Sequence, residues 1–206
     1  GALRWLPDGT LFLPATLSSP SVPFARLTAS RSGSYWNLVV PYALSTGFFA
    51  AGEPVAEGLL AYVLAHGARL LGVTRGDAHV IYGNGGPPAS GLVQAYGLSM
   101  SRFLADNDRP DQLVLSLYGI LGASMTPDTY VTGEAETVLP LGSAYYRTTY
   151  LPPNSGANAT FLETLRLTIV HERVGPKGAP RGLDLAFATP RRWLRDSGRI
   201  AVRQAR

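Results

Sequence analysis

The sequence predicts a mainly α protein, built of antiparallel helical hairpins with short β segments at its two ends. Three observations lead there. Apolar residues recur at three- and four-residue spacing along several stretches between residues 32 and 172. The links between those stretches alternate between a few residues and long polar loops. At both ends of the chain the pattern changes to the two-residue alternation of a strand.

The opening "LRWLPDGTLFLPATL" has a turn at "PDG" followed by Leu11, Phe12 and Leu13, a strand pattern. A Ser/Pro-rich connection, "SSPSVP", follows. In "SGSYWNLVVPYALSTGFFAAG" the period becomes helical through Trp36, Val39 or Val40, and Ala43 or Leu44, with a kink expected at Pro41. A second helix fits "PVAEGLLAYVLAHGARLLG", with Pro54 in its first turn. A third fits "SGLVQAYGLSMSRFLADN", and a fourth fits "RPDQLVLSLYGILGAS", again with Pro in the first turn and Asp111 near the positive end. The last, "SGANATFLETLRLTIVHE", aligns Phe161, Leu165 and Ile169 and is expected to start at a Ser155 or Asn158 cap. Beyond it "LDLAFATPRRWLRDSGRIAVRQ" is predicted as two strands around "DSG", the second left as an open edge where the chain stops, which suggests truncation.

The first and second helices, and the third and fourth, are joined by only a few residues. Long links, "VTRGDAHVIYGNGGPPA" and the stretch from Met125 to Asn154, join the others. Antiparallel neighbours would then carry all long loops on one face. Loops longer than about 12 to 15 residues without regular structure tend to be functional. The longest contains Glu134 and Glu136.

Composition excludes several classes. The chain has no cysteine, hence no disulfide, thiolate metal site or cysteine nucleophile, and localisation stays open. Lys177 is the single lysine among 18 basic residues, a bias better explained by coding preference than by phosphate binding. With no recognised motif or aromatic-interleaved basic face, no nucleic-acid partner is expected. No apolar run reaches the roughly 18 residues that span a membrane, so no membrane partner is expected either. "YGNGGPP" lacks the Lys and Ser/Thr of a phosphate loop, and no His or carboxylate pair has metal spacing, so no metal or other cofactor is expected.

The order "GASMTPDTYVTGE", then "LPPNSGANATFLETLRLTIVHE", then "GLDLAFATPRRWL" resembles the matching part of alpha-L-rhamnosidase-like enzymes over residues 123 to 195. More broadly the chain resembles the C-terminal half of an (α/α)6 toroid, the catalytic domain of the six-hairpin glycosidases. Thr132 and Gly133 stand where that family has a Trp before its Glu, and "NSGANATF" replaces a His-containing helix start. The resemblance implies a partial toroid divided as 1–34, a strand and lead-in loop; 35–174, the second half of the toroid; and 175–206, the start of a C-terminal β element. It implies an inverting glycoside hydrolase acting on an oligosaccharide or polysaccharide. Glu134 aligns with the general base that activates water, while the acid comes from an earlier hairpin in a missing N-terminal half. The chain alone is then expected to be inactive.

An inverting pair needs its carboxyls roughly 6.5 to 9.5 Å apart. In an extended loop Glu134 and Glu136 would point to one side about 7 Å apart. Since the family's acid lies elsewhere, Glu136 is assigned to substrate binding; the alternative is that both glutamates solvate a loop or pair with Arg147. Arg31, Tyr35 and Trp36 before the first helix form a possible sugar platform, with a core role as the alternative for Trp36. Arg75, Asp77, His79 and Tyr82 alternate in the second long loop, and Tyr145, Arg147 and their neighbours follow the glutamates as a possible cleft wall. A polysaccharide lyase using His79, Tyr82 and Arg75, or a non-catalytic sugar-binding or scaffold toroid, are the competing functions. His66 and His171 are assigned structural roles.

Overall fold

A computed structural model describes residues 3–16, 22–46, 48–49, 52–67, 69–77, 90–141, 144–174 and 179–195; at 77, 90, 138–141, 144–148, 174 and 180 the description is of backbone alone. The chain opens with a ribbon of β1 (Arg4–Trp5) and β2 (Leu11–Phe12). Asp8 accepts from Thr10 N at 3.0 Å and so closes the turn between them. Helix α1 (Arg31–Val39) starts at Ser30, whose hydroxyl accepts from Gly33 N. The break expected at Pro41 is present, and a single turn, α2 (Tyr42–Ser45), continues beyond it. α3 (Pro54–Ala65) has Pro54 in its first turn, where a missing amide proton is harmless.

Then the chain departs from the helical pattern. β3 (Arg69–Leu70) and β4 (Val73–Asp77) form a tight hairpin, and β5 (Ser90–Leu92) pairs with β4. α4 (Leu98–Asp106) and α5 (Pro110–Gly119) follow, α5 running on into a π-helical turn at Ile120–Ser124. β6 (Ala135–Leu141) and β7 (Ala144–Tyr150) make a hairpin, and α6 (Ser155–Leu167) is capped by Asn154, whose Oδ1 accepts from Ala157 N at 2.8 Å. β8 (Val170–Val174), β9 (Pro180–Leu185) and the short α7 (Arg191–Arg195) complete the described chain.

The mainly α toroid is therefore corrected. The order β3-β4-β5-β6-β7 is a five-stranded antiparallel sheet, accompanied by the two small sheets β1-β2 and β8-β9, so the protein is mixed α and β. Both long links, expected as loops with alternating polar positions in the first of them, contain strands. "SGL" at the head of the expected third helix lies in β5 instead, because its backbone pairs with β4 and β6. The expected second helix stops at His66, and Gly67 with a positive φ of 75° turns the chain into β3. The last helix is capped at Asn154 rather than Ser155 or Asn158 and ends at Leu167, where "VHERV" becomes β8. Residues 191–195 are helical rather than strand, and the second strand expected near the C-terminus lies outside the described residues.

The larger core gathers Phe12, Trp36, Leu59, Tyr62, Met100, Phe103 and Leu113. Phe12 sits 5.9 Å from Trp36 and 5.4 Å from Tyr62, centroid to centroid, so two residues of β2 key the ribbon into α1 and α3. A second cluster, Val73, Leu92, Ile120, Ala123 and Met125, joins one face of the sheet to the π-helical turn. A third sets Leu38 of α1 against Val93 and Ala135 on the other face. Ser101 and Thr164 hydroxyls meet at 2.9 Å between α4 and α6, and buried Gln94 donates to Ala157 O at 2.6 Å. These bonds take up the two hydroxyls and the Gln94 amide nitrogen, while Gln94 Oε1 is buried without a described partner.

Tyr62 gives the core a pH dependence. Its hydroxyl donates to Phe24 O at 3.0 Å and accepts from Phe24 N at 2.7 Å, and burial pushes its pKa from 10.0 up to about 12. A phenol whose pKa is raised on folding adds stability that is complete below its unfolded pKa and fades as pH climbs through its folded one. The protein is expected to lose stability between pH 10 and about 12, and Tyr62→Phe to lose less over that window. Urea unfolding midpoints at several alkaline pH values check this; parallel pH profiles for both proteins would contradict it.

Candidate functional site

The two glutamates lie where the segment after the π-helical turn enters the sheet. Residues 125–132 form a tight turn: Met125 bridges Thr132, Thr126 N donates to Val131 O at 2.9 Å, and Tyr130 N donates to Thr126 O at 3.0 Å. Asp128 and Tyr130 adopt positive φ values of 66° and 53°, as does Leu151 (49°) beyond the far end of β7. For side chains larger than glycine this is a sparsely populated region, held only where surrounding bonds over-determine it. Those bonds are visible. Buried Thr132 has its hydroxyl 2.7 Å from Asn158 Oδ1, and its carbonyl accepts from Asn154 N at 2.8 Å, so the loop is tied to the start of α6.

Gly133 follows, at a point of close approach. A Cβ there would overlap Tyr150 O and lie 2.6 Å from Thr149 Cγ2, so only glycine lets β7 come this near. Its amide donates to Glu136 Oε1 at 2.9 Å. Glu136 is 2% exposed and pairs in the ladder with Leu92 on one side and Thr149 on the other. Its carboxylate folds back to brace the Gly133 turn, away from solvent.

Glu134 is placed differently. Its amide donates to Tyr150 O at 2.9 Å, fixing the backbone, and its side chain is half-buried. Among the described residues no hydrogen bond or ion pair occupies its carboxylate. Exposed Tyr150 pairs with the next residue, Ala135, and exposed Tyr130 lies at the tip of the preceding turn. The arrangement is a carboxylate on a fixed backbone at a sheet end, with tyrosines nearby and its sister glutamate committed to structure.

The structure brings one other expected residue to this face. Arg75, Leu92, Glu136 and Thr149 form a row across β4, β5, β6 and β7, and directly paired antiparallel residues share a face. Arg75 is half-buried, and burial together with the nearby Arg26 charge lowers its pKa. By strand spacing its Cα stands about 10 Å from that of Glu136.

The α1 residues lie elsewhere. Leu38 packs with Ala135, which alternation sets on the face opposite Glu136, so α1 covers the far side of the sheet. Arg31 and Tyr35 are exposed there, with the guanidinium 5.7 Å from the Tyr35 ring centre. Trp36 is a core residue, 3% exposed, and its indole N–H donates to Leu13 O at 2.7 Å. Asp77 ends β4, and Tyr145 and Arg147 pair with Pro140 and Val138, but their side chains lie outside the described residues, as do His79 and Tyr82 entirely. His66 stacks on Tyr62, and His171 in β8 meets Asp106 at 2.9 Å.

Sequence reasoning missed Tyr130 and Asn154, and it named Thr132 and Asn158 without seeing that they anchor the loop. The signal was present: "PPNSGA" places an Asn before a helix-permissive run, the pattern of an N-cap. Among the described residues no group of three or more His, Asp or Glu is arranged to hold a metal, and no helix is long and apolar enough to cross a membrane. Comparison with known proteins gives no match to a family model, a curated protein or a solved structure.

Proposed function

We propose that the Glu134 end of the sheet is a carbohydrate site and that Glu134 is the general base of an inverting glycoside hydrolysis. The observation that carries this reading is a half-buried carboxylate, fixed through its own backbone and engaged by no described partner. Such a group is poised to bind and deprotonate a water, since its lone pairs are not committed to the fold. Exposed Tyr130 and Tyr150 supply aromatic faces of the kind that stack on sugar C–H groups. The resemblance of residues 123 to 195 to alpha-L-rhamnosidase-like enzymes supports the same assignment, although the toroid that it implied is not proposed.

In this reaction Glu134 takes a proton from water as the water oxygen bonds to the anomeric carbon. The glycosidic bond breaks on the opposite face, and a second carboxyl protonates the departing oxygen. Glu136, bonded to Gly133 N and buried, positions the turn that carries Glu134; the acid is a different group.

The test is hydrolysis of aryl glycosides by the intact gene product that contains this chain, beside its Glu134→Gln variant. Turnover should fall about 10²–10⁴-fold, with azide restoring part of it as a glycosyl azide of inverted configuration by NMR. Unchanged turnover in the variant removes Glu134 from the chemistry, and sugar binding without turnover in the parent leaves a binding site only.

One observation favours a second reading. Arg75, on the Glu136 side of the sheet, has a second positive charge, Arg26, near enough to lower its pKa, which suits an acidic sugar. A lyase acting on a uronate would release an unsaturated product with a new ultraviolet absorbance, and the same assay separates it from hydrolysis.

A further inference from the structure

Away from the glutamates, a cavity of about 250 Å³ opens between α3, α4, α5 and the β3–β4 turn. Leu60, Leu64, Leu71, Met100, Leu104 and Leu115 give it apolar walls, and Leu64, Leu71 and Leu115 are exposed around it. Two polar side chains line it as well, Arg69 and Gln112.

Arg69 is half-buried at the edge of the cavity. Its Nη2 donates to Gly72 O and, at 2.9 Å, to Ser116 Oγ, both uncharged acceptors. Among the described residues no ion pair includes it. Its Nη1 and Nε donors are not taken up by these bonds. Gln112 Oε1 is buried in the same place without a hydrogen-bond partner. A half-buried charge with no described counter-ion and a buried idle acceptor each have a natural complement.

We propose that this cavity binds a small amphiphilic hydroxy acid, with its carboxylate accepting from Arg69 Nη1, its hydroxyl donating to Gln112 Oε1 and its hydrocarbon body among the leucines. With both Nη2 protons given to Gly72 O and Ser116 Oγ, Nη1 is the donor left for one carboxylate oxygen, a single charge-assisted hydrogen bond. The volume, below the roughly 300 Å³ of drug-sized sites, fits a short chain rather than a long lipid or a nucleotide. Burial holds the Arg69 pKa down to about 10, still well above neutrality, so the guanidinium carries its charge where the ligand carries the opposite one.

Titration calorimetry with 3-hydroxyoctanoate tests this, with its methyl ester as the uncharged control. The acid should bind, and the ester at least about tenfold more weakly, as expected when a charge-assisted pair is removed. Arg69→Met should lose the preference for acid over ester. If that variant does not fold, Leu115→Trp carries the test, because it blocks an exposed wall and keeps both Arg69 hydrogen bonds; it should abolish binding with an unchanged melting temperature. Equal affinity for acid and ester, wild-type binding by Leu115→Trp, or no binding of the acid would each overturn the assignment.

Discussion

Gly119→Ala should destabilise the protein by about 3 kcal/mol, although the same change in an exposed helix ordinarily stabilises by about 1 kcal/mol. Gly119 has helical dihedrals, so alanine is not opposed by its local conformation. The obstacle is tertiary. A Cβ there would overlap Leu71 O and lie 2.9 Å from Leu71 C and 3.1 Å from Val73 Cγ2. Two of these atoms are backbone in the β3–β4 turn and cannot rotate away; relief requires α5 to lift off the sheet. Gly122→Ala, two residues into the π-helical turn, is the control, since a Cβ there meets nothing within 4 Å. Chemical denaturation of the two variants should give a large loss for one and little change for the other. Similar midpoints would show that α5 does not sit this close to the turn.

The second large effect is expected at Phe12, in a strand of only two residues. Its ring is fully buried among Trp36, Tyr62 and Phe24, with the Phe24 ring 6.2 Å away, edge on. Phe12→Ala should cost about 3–5 kcal/mol, against a typical total stability of about 5–15 kcal/mol. Most of the loss is the cavity left between three rings that cannot collapse together. Phe12→Leu should cost about 1.5 kcal/mol or less if the neighbours repack. Urea midpoints and near-ultraviolet circular dichroism check both, because the aromatic signal should vanish with the first and persist with the second. A loss below about 1 kcal/mol for Phe12→Ala would mean that the β1–β2 ribbon is not keyed into the core.

These sites explain how far the sequence was readable. Pro54 and Pro110 marked the first turns of α3 and α5, and Pro41 marked a real break, because proline acts through local covalent geometry. The sheet was hidden for a different reason. In "SGLVQAYGLSM" the apolar positions satisfy both a helix and a strand, and only pairing with β4 and β6 decides. The β6–β7 hairpin had a local signal that went unused: Val, Thr and Tyr on both sides of "GS", a two-residue hairpin connection. Pro140 weakened it, since proline within a strand lowers the expectation.

The candidate site was legible in part. Glu134 and Glu136 were singled out from a Gly-punctuated stretch; Glu134 lies in the turn into β6 and Glu136 in the strand itself. What distinguishes them, the Gly133 amide that binds one carboxylate and leaves the other, depends on how β7 returns beside the glycine. Arg31 and Tyr35 were grouped with them through an assumed alternation of helices, and the sheet that replaces that alternation puts α1 on its opposite face.

The strand order also imposes a sequence of events during folding. β6 and β7 meet through Leu141 and Ala144, a local closure that takes about 1–10 μs in isolated hairpins. β5 meets β6 through Ser90 and Val138, with both α4 and α5 threaded between them. Sequence separation alone favours closure of this hairpin before the helices bring β5 alongside the β6 edge. An unpaired β6 edge is a template on which another strand can pair. Formation of α4 and α5 thus acts as an internal chaperone for the sheet, setting how long the edge stays open.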